Sequence, residues 1–284
     1  MTTVAAALAA ARGKLPAGVA RLLLGHVLDR QPAWLIAHDD ALLDEASLLA
    51  FASLVARRGG GEPVAYLVGH REFFGREFTV STSVLIPRPE TELLVEIALA
   101  RVMRSGMRSD SAGDVAKATT KILDLGTGSG CIAVTLALEI PQAQVTGVDA
   151  AEAALLVARK NAERYGAKLR LLQSDWFAAV GDECFDLIVA NPPYIAAADP
   201  HLGAGDLRHE PSAALSGGSD GLESMRCIIA AAPAHLSHDG RLWLEHGYDQ
   251  AEAVRELLAA AGLTGIEQHR DLAGIVRVSG GRLR

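Results

Sequence analysis

Cysteine is scarce in this 284-residue chain, with only Cys131, Cys184 and Cys227. The three are widely spaced, odd in number and form no C-x-x-C pair, which argues against a disulfide framework or zinc site and predicts a reducing compartment. His235 and His238 lie three apart with no cysteine at metal-ligand spacing, and they are expected at a solvated helix end. Long apolar runs are also missing: no stretch reaches the roughly 18 apolar residues that a membrane span needs. The N-terminus carries Arg12 and Lys14 after a short alanine-rich run, which lacks the order of a secretory signal. Basic charge is in deficit, 27 Lys and Arg against 34 Asp and Glu, for a net charge of −7. A protein that grips duplex nucleic acid by its phosphates is expected to be strongly basic. The expectation is a soluble cytoplasmic protein with no membrane partner, no direct nucleic-acid binding and no metal.

What the chain has in quantity is apolar residues, 50% of the total, enough for a sizeable core. Its length suits two domains. The first 58 residues read as helical. Leu48, Phe51 and Val55 form an apolar stripe, as do Val19, Leu22, Leu23 and Val27, and Pro16 suits a first helical turn. Gly59, Gly60 and Gly61 interrupt that pattern. Phe73 to Val80 then predict a β-hairpin turning near Gly75, Glu90 to Arg104 a helix, and Ser105 to Thr120 a polar loop.

From Lys121 the pattern becomes alternating strands and helices. Strands are expected at 122–125, 145–148, 169–172, 185–190 and 241–245, with helices at 131–139, 153–165, 223–236 and 250–261. A closing hairpin is expected over 266–269 and 275–278. Alternation of this kind implies a mostly parallel sheet covered on both faces, with an antiparallel strand at one edge.

The chemistry-bearing residues follow the strand ends. Gly126, Thr127, Gly128, Ser129 and Gly130 join a strand to a helix, so the backbone can approach a ligand and helix N–H groups are free to face an anion. Asp149 ends the next strand, where an acid can accept from both ribose hydroxyls of an adenosine. The spacing is G-x-G-x-G rather than the G-x-G-x-x-G of nicotinamide sites, which favours a methyl donor. Trp176 follows the third strand and is placed to stack on an adenine. Asn191, Pro192, Pro193 and Tyr194 form a stiff corner after the fourth strand. The Asn191 side-chain oxygen and the Pro192 carbonyl are acceptors, and Tyr194 has a flat face. That inventory suits a planar, conjugated NH₂: two acceptors aim its delocalised lone pair and stabilise the positive charge that grows during transfer. The sulfonium of S-adenosyl-L-methionine is an excellent leaving group, so neither a metal nor a covalent intermediate is required.

Together these residues resemble the PrmC/HemK family, the protein-(glutamine-N5) methyltransferases of peptide chain release factors. The likeness extends to Gly61–Tyr66, Gly69–Phe73 and Leu85–Glu92 before the glycine loop, and to Asp199–Leu202, Gly205–Pro211 and Leu244–Gly247 after the Asn191 corner. It runs from Gly61 to Gly281 and is weaker in the N-terminal segment. The tail, Asp271–Arg277, is similar to the family's final hairpin, with Val276 where a polar residue is expected.

The resemblance implies a seven-stranded, mostly parallel, Rossmann-like class I methyltransferase domain, preceded by a small helical bundle and a β-hairpin linker. It implies residues 1–72 as a helical substrate-recognition domain and residues 73–284 as the linker and S-adenosylmethionine-dependent domain. It also implies the glutamine of a release-factor Gly-Gly-Gln motif as substrate. By position, Gly126 to Gly130, Asp149, Trp176 and Asn191 bind the cofactor. Asn191 and Pro192 hold the amide, and Pro193 and Tyr194 shape its pocket. Two other classes compete. A nucleic-acid methyltransferase acting on adenine N6 shares the Asn-Pro-Pro-Tyr corner but is expected to be more basic. A non-catalytic partner is expected to have a degraded corner.

Overall fold

The N-terminal stretch folds because each helix has both an apolar stripe and local stop signals. In the computed structural model, which describes residues 2–108 and 119–284, the first elements are β1 (Thr2–Thr3), α1 (Val4–Ala11), α2 (Ala17–Leu28), α3 (Pro32–Ala37), β2 (Leu42–Leu43), α4 (Glu45–Gly59) and α5 (Val64–Val68). Thr3 caps α1 by accepting from Ala6 N, and Asp44 caps α4 by accepting from Ser47 N at 2.7 Å. Gly60 ends α4. Ala20, Leu23 and Leu24 of α2 are buried with Phe51 and Val55 of α4. The buried face of α2 is rotated from the expected stripe: Leu24 is fully buried and Leu22 is 41% exposed. Ala20, Leu23, Leu24 and Val27 satisfy the i, i+3, i+4, i+7 spacing equally well.

Two compact units emerge, Met1–His70 with Gly203–His209, and Arg71–Leu202 with Glu210–Arg284. The short 203–209 segment is held in the first unit by polar contacts. Arg58 Nη1 donates to Asp206 Oδ1 at 2.7 Å, and Arg208 Nη2 donates to the Gly60 carbonyl at 2.7 Å.

The second unit begins at Arg71, one residue into the hairpin of β3 (His70–Phe73) and β4 (Arg76–Thr79), which turns at Phe74 and Gly75, both with positive φ. A 3₁₀ turn at Pro89–Thr91 leads into α6 (Glu92–Arg108), which starts two residues later and ends four residues later than the sequence suggested. Most of the expected loop after it, 109–118, lies outside the described residues. Then come β5 (Lys121–Leu125), α7 (Cys131–Glu139), β6 (Gln144–Asp149), α8 (Glu152–Tyr165), β7 (Leu169–Gln173), β8 (Phe185–Ala190), α9 (Ser212–Leu215), α10 (Glu223–His235), β9 (Leu236–Glu245), α11 (Ala251–Ala260), β10 (Thr264–Arg270) and β11 (Val276–Arg282). His235 closes α10 with its ring stacked on Phe177 at 4.4 Å, so it is less solvated than expected, whereas His238 is exposed.

The seven-stranded sheet has the order β10-β11-β9-β8-β5-β6-β7. Strands β5 to β9 pair in parallel, and β11 is antiparallel to both β9 and β10. The reversed strand therefore lies one position in from the edge. Period-two alternation sends Ile122 and Leu187 to a core with α6, α7 and the hairpin, and Leu123 and Ile188 to one with α10 and α11. Among the described residues no helix is long and apolar enough to cross a membrane.

Strand order reverses about β5: β6 and β7 lie on one side, β8 and β9 on the other. At such a switch point the loops diverge and leave a crevice at the carboxyl ends. Register aligns the ends. Leu125 pairs with both Val148 and Ala190, and Asp149 pairs with Gln173. The residues that follow each strand therefore emerge side by side.

Asn161 of α8 locks the hairpin to the glycine loop. Its side chain is fully buried. Nδ2 donates to the carbonyls of Thr79 and Ser129 at 3.0 and 2.9 Å, and Oδ1 accepts from Thr79 N at 2.8 Å. Asn161→Ala leaves three backbone groups without their partner, the buried Ser129 carbonyl and the half-buried N–H and carbonyl of Thr79, and is expected to destabilise the protein by about 2–4 kcal/mol, at 1–3 kcal/mol per unmet group less what water recovers. Denaturant unfolding checks this; a midpoint shift worth under about 0.5 kcal/mol defeats it.

Candidate functional site

The glycine loop is organised from below by Asp124, the penultimate residue of β5. Its carboxyl is wholly buried. Oδ2 accepts from Thr127 Oγ1 at 2.7 Å and from Ala133 N at 3.2 Å, while Oδ1 has no partner. Burial pushes its pKa up to about 7 against the pull of those two donors. From the side, Gly126 N and Thr127 N both donate to the Val148 carbonyl, at 2.9 and 2.8 Å. Gly130 begins α7 with φ +79°, and a Cβ there would meet Ala158 Cβ at 3.0 Å. Glycine is required both by the backbone and by the close approach of α8.

Asp149, at the end of β6, fastens the loop. Oδ2 accepts from Gly128 N and Oδ1 from Ala151 N, each at 2.9 Å. A carboxylate has about four lone-pair sites, so acceptor capacity remains for a ligand. Trp176 has φ +44°. It is held by Ser174, whose Oγ donates to the Trp176 carbonyl at 2.8 Å and accepts from Ala179 N at 2.9 Å. The indole stands beside Gly126: a Cβ on that glycine would lie 3.6 Å from Trp176 Cζ3.

These residues line a cavity of about 260 Å³. Gly126, Thr127, Gly128, Ser129, Asp149 and Trp176 form one end, and Asn191 and Pro193 contribute at the strand-end corner. The rest of the wall comes from the stretch between β4 and α6, including Arg88 and Thr91, and from Pro211 to Ser216. Glu210 joins those two stretches. Its side chain is fully buried, Oε2 accepts from Ile86 N at 3.0 Å, and Oε1 pairs with Arg88.

Asn191 Nδ2 donates to Thr91 Oγ1 at 3.1 Å, whereas Asn191 Oδ1 is buried without a partner. A buried acceptor left free is uncommon and is expected where a ligand supplies the donor. Gly130, Pro192 and Tyr194 are not among the cavity's lining residues. Pro192 is buried. Tyr194 packs against the core on the α10 and α11 face, its hydroxyl 3.4 Å from Glu245 Oε1. Burial, then the charge of Glu245, raises its pKa.

Sequence spacing missed Asp124 as a strut, Asn161, Thr91, Arg88, Glu210 and Glu245. Asp124 and Glu245 carried a readable signal, because each is an acid among apolar residues at or next to the carboxyl end of its strand. Thr91, Arg88 and Glu210 sit in irregular segments, where no periodicity announces burial.

Comparison with known proteins adds to this geometry. A family model described as the PrmC N-terminal domain matches residues 1–69, and one described as the methyltransferase small domain matches residues 112–206. Among curated proteins, the release factor glutamine methyltransferase of Bordetella pertussis is 50% identical over 270 residues, covering 95% of this chain and 96% of the relative. That of Burkholderia pseudomallei is 51% identical, covering 93% and 91%. That of Xylella fastidiosa strain Temecula1 is 46% identical, covering 99% and 98%. Two solved structures share the fold. A 16S rRNA N2 methyltransferase of T. thermophilus, solved with AdoMet and guanosine, aligns with a TM-score of 0.53 at 22% identity over 76% of this chain and 50% of its own. A Pyrococcus furiosus methyltransferase aligns with a TM-score of 0.50 at 19% identity over 81% of this chain and 98% of its own. Identity of this level over nearly the full length of both chains places the chain in the release factor glutamine methyltransferase family.

Proposed function

We propose that this protein transfers the methyl group of S-adenosyl-L-methionine to the side-chain amide nitrogen, N5, of the glutamine in the Gly-Gly-Gln motif of peptide chain release factors, acting in the cytoplasm and modulating translation termination. The observation that carries the residue assignment is the free, buried Oδ1 of Asn191 at the cavity wall. Bound S-adenosyl-L-methionine supplies an electrophilic methyl carbon on a sulfonium that departs as a neutral thioether.

The chain's residues supply the rest. Asp149 would accept from the ribose hydroxyls, Trp176 would flank the adenine, and the loop from Gly126 to Gly130 would lie against the donor. Asn191 Oδ1 and the Pro192 carbonyl accept the two hydrogens of the glutamine NH₂, holding its lone pair toward the methyl carbon. As the N–C bond forms, positive charge develops on nitrogen. Two fixed acceptors stabilise it without reorganising, because the proline corner is already stiff. Pro193 lines the pocket around the amide, and Tyr194 supports the corner from the core behind it. One N–H proton then passes to solvent water, which leaves the neutral N-methyl amide. Intact-mass analysis of a release factor after incubation with enzyme and donor tests the proposal. A gain of one methyl group that maps to the Gly-Gly-Gln glutamine is expected, and a gain elsewhere, or none, defeats it.

Residues 1 to about 72 are proposed to recognise the body of the release factor. A Gly-Gly-Gln loop offers little side chain, so discrimination among glutamines needs a second contact area. Deleting this domain is expected to leave donor affinity within about a few-fold and to cut methylation of the intact factor at least about tenfold, equivalent to 1.4 kcal/mol. A folded truncation that modifies the full-length factor as well as the whole chain does returns the bundle to a structural role.

A further inference from the structure

We propose that Thr91 and Glu245 are positioning residues that decide which end of the Asn191 side-chain amide faces the methyl acceptor. This rests on the assignment of Asn191 as an acceptor for the glutamine NH₂. The oxygen and nitrogen of an asparagine amide are nearly equal in size, and a flip exchanges an acceptor for a donor. A flipped Asn191 would set its own NH₂ against the NH₂ of the substrate, so the site needs something that selects one orientation.

Thr91 Oγ1 accepts from Asn191 Nδ2 at 3.1 Å. A hydroxyl is both donor and acceptor, so Thr91 by itself would serve either orientation. It becomes selective only when its hydrogen is committed elsewhere, and Glu245 is the group that can take it. Ala190 pairs with Leu244 across β8 and β9, so Asn191 and Glu245 are the next residues on adjacent parallel strands. Glu245 is 1% exposed and Thr91 is 2% exposed. Oε2 of Glu245 is buried without a hydrogen-bond partner among the described residues, an acceptor still to be met, and Oε1 faces the Tyr194 hydroxyl at 3.4 Å. A Thr91 hydroxyl turned toward that unmet oxygen would favour the ionised carboxylate, the direction in which it acts on the Glu245 pKa. With its hydrogen directed at Glu245, Thr91 offers Asn191 only lone pairs. Nδ2 must then point inward and Oδ1 is left for the substrate.

The carboxylate is poised near neutrality. Burial raises its pKa to about 7, the Thr91 hydroxyl opposes this, the charge of Glu90 adds to it, and Arg277 and Tyr194 oppose it. Cys131 also faces Glu245, and Arg277 and Arg88 face Tyr194. Protonated, Glu245 has a hydrogen of its own to give Thr91, which frees the threonine hydrogen to meet Asn191 Oδ1. Activity is therefore expected to rise with pH as Glu245 ionises.

The test uses the full chain and a release factor, with single-turnover methyl transfer and donor affinity measured for Thr91→Val, Thr91→Ser, Glu245→Gln and Asn191→Ala. Thr91→Val, which keeps shape but removes the hydroxyl, is expected to slow transfer roughly tenfold or more with donor affinity within a few-fold. Thr91→Ser is expected to restore the rate. Glu245→Gln is expected to be slower and to lack the ionisation that wild type shows across neutral pH. If Asn191→Ala is slow but Thr91→Val transfers at the wild-type rate, the positioning proposal is overturned and the acceptor role of Asn191 stands. Coincident pH profiles for wild type and Glu245→Gln also overturn it, and do so even if Thr91→Val fails to fold. If Asn191→Ala itself transfers at the wild-type rate, the underlying assignment of Asn191 falls instead, and the positioning proposal with it.

Discussion

Asn191→Ala is expected to slow single-turnover methyl transfer by about 10²–10³-fold, the usual loss when one preorganised charge-stabilising group is removed. An amide nitrogen is a poor nucleophile because its lone pair is delocalised, so transfer depends on acceptors that orient it and meet its growing charge. Asn191 Oδ1 is already buried and unpartnered, so it has no competing protein bond to break before it meets substrate. Among the described residues the side chain makes one polar contact, to Thr91 at 3.1 Å. Truncation therefore leaves the sheet and both cores intact, and the loss of stability should be about 1 kcal/mol. Rapid-quench transfer from enzyme preloaded with donor separates the chemical step from binding. A variant within a few-fold of wild type removes Asn191 from the acceptor role.

Asp149→Ala is expected to weaken donor binding by about 10²–10⁴-fold, because two charge-assisted hydrogen bonds of roughly 1.5–3 kcal/mol each are lost. The structure adds a second reason for a large effect. The same carboxylate holds Gly128 N and Ala151 N at 2.9 Å. Its removal frees both the glycine loop and the start of α8, so the donor would have to order them on binding. Titration calorimetry of the folded variant decides the matter, and unchanged affinity would end the ribose-clamp assignment.

Much of the second unit was legible in its residues. The bounds of α7 and β8 coincide with the apolar segments Cys131–Glu139 and Phe185–Ala190. Each is flanked by residues that stop it, glycine before one and a proline pair after the other. β9 was under-read by five residues. It begins at Leu236, where a register shift opposite Phe185 and Leu187 lets polar Ser237 to Asp239 join the strand. Ser105 and Gly106 have the chemistry of a helix stop, yet α6 continues through them to Arg108. In the bundle, heptad-like spacing identified helices but not which face is buried, since two overlapping stripes on α2 satisfy the same period.

Local chemistry along the chain determined the motifs themselves. A glycine run after a short apolar strand, an acid ending the next strand and a proline corner after the fourth each have a short-range cause: positive φ, a helix start, or a missing N–H. Only the tertiary structure decided how they meet, and it did so through register. Because Leu125 pairs with Val148 on one side and Ala190 on the other, residues about 65 positions apart leave the sheet as neighbours. The same pairing sets Glu245 beside Asn191, and the turn at Pro89–Thr91 brings Thr91 to the Asn191 amide from a hundred residues away. Contacts of that separation are absent from any local pattern, because they form only when burial of both faces of the sheet fixes where each strand ends.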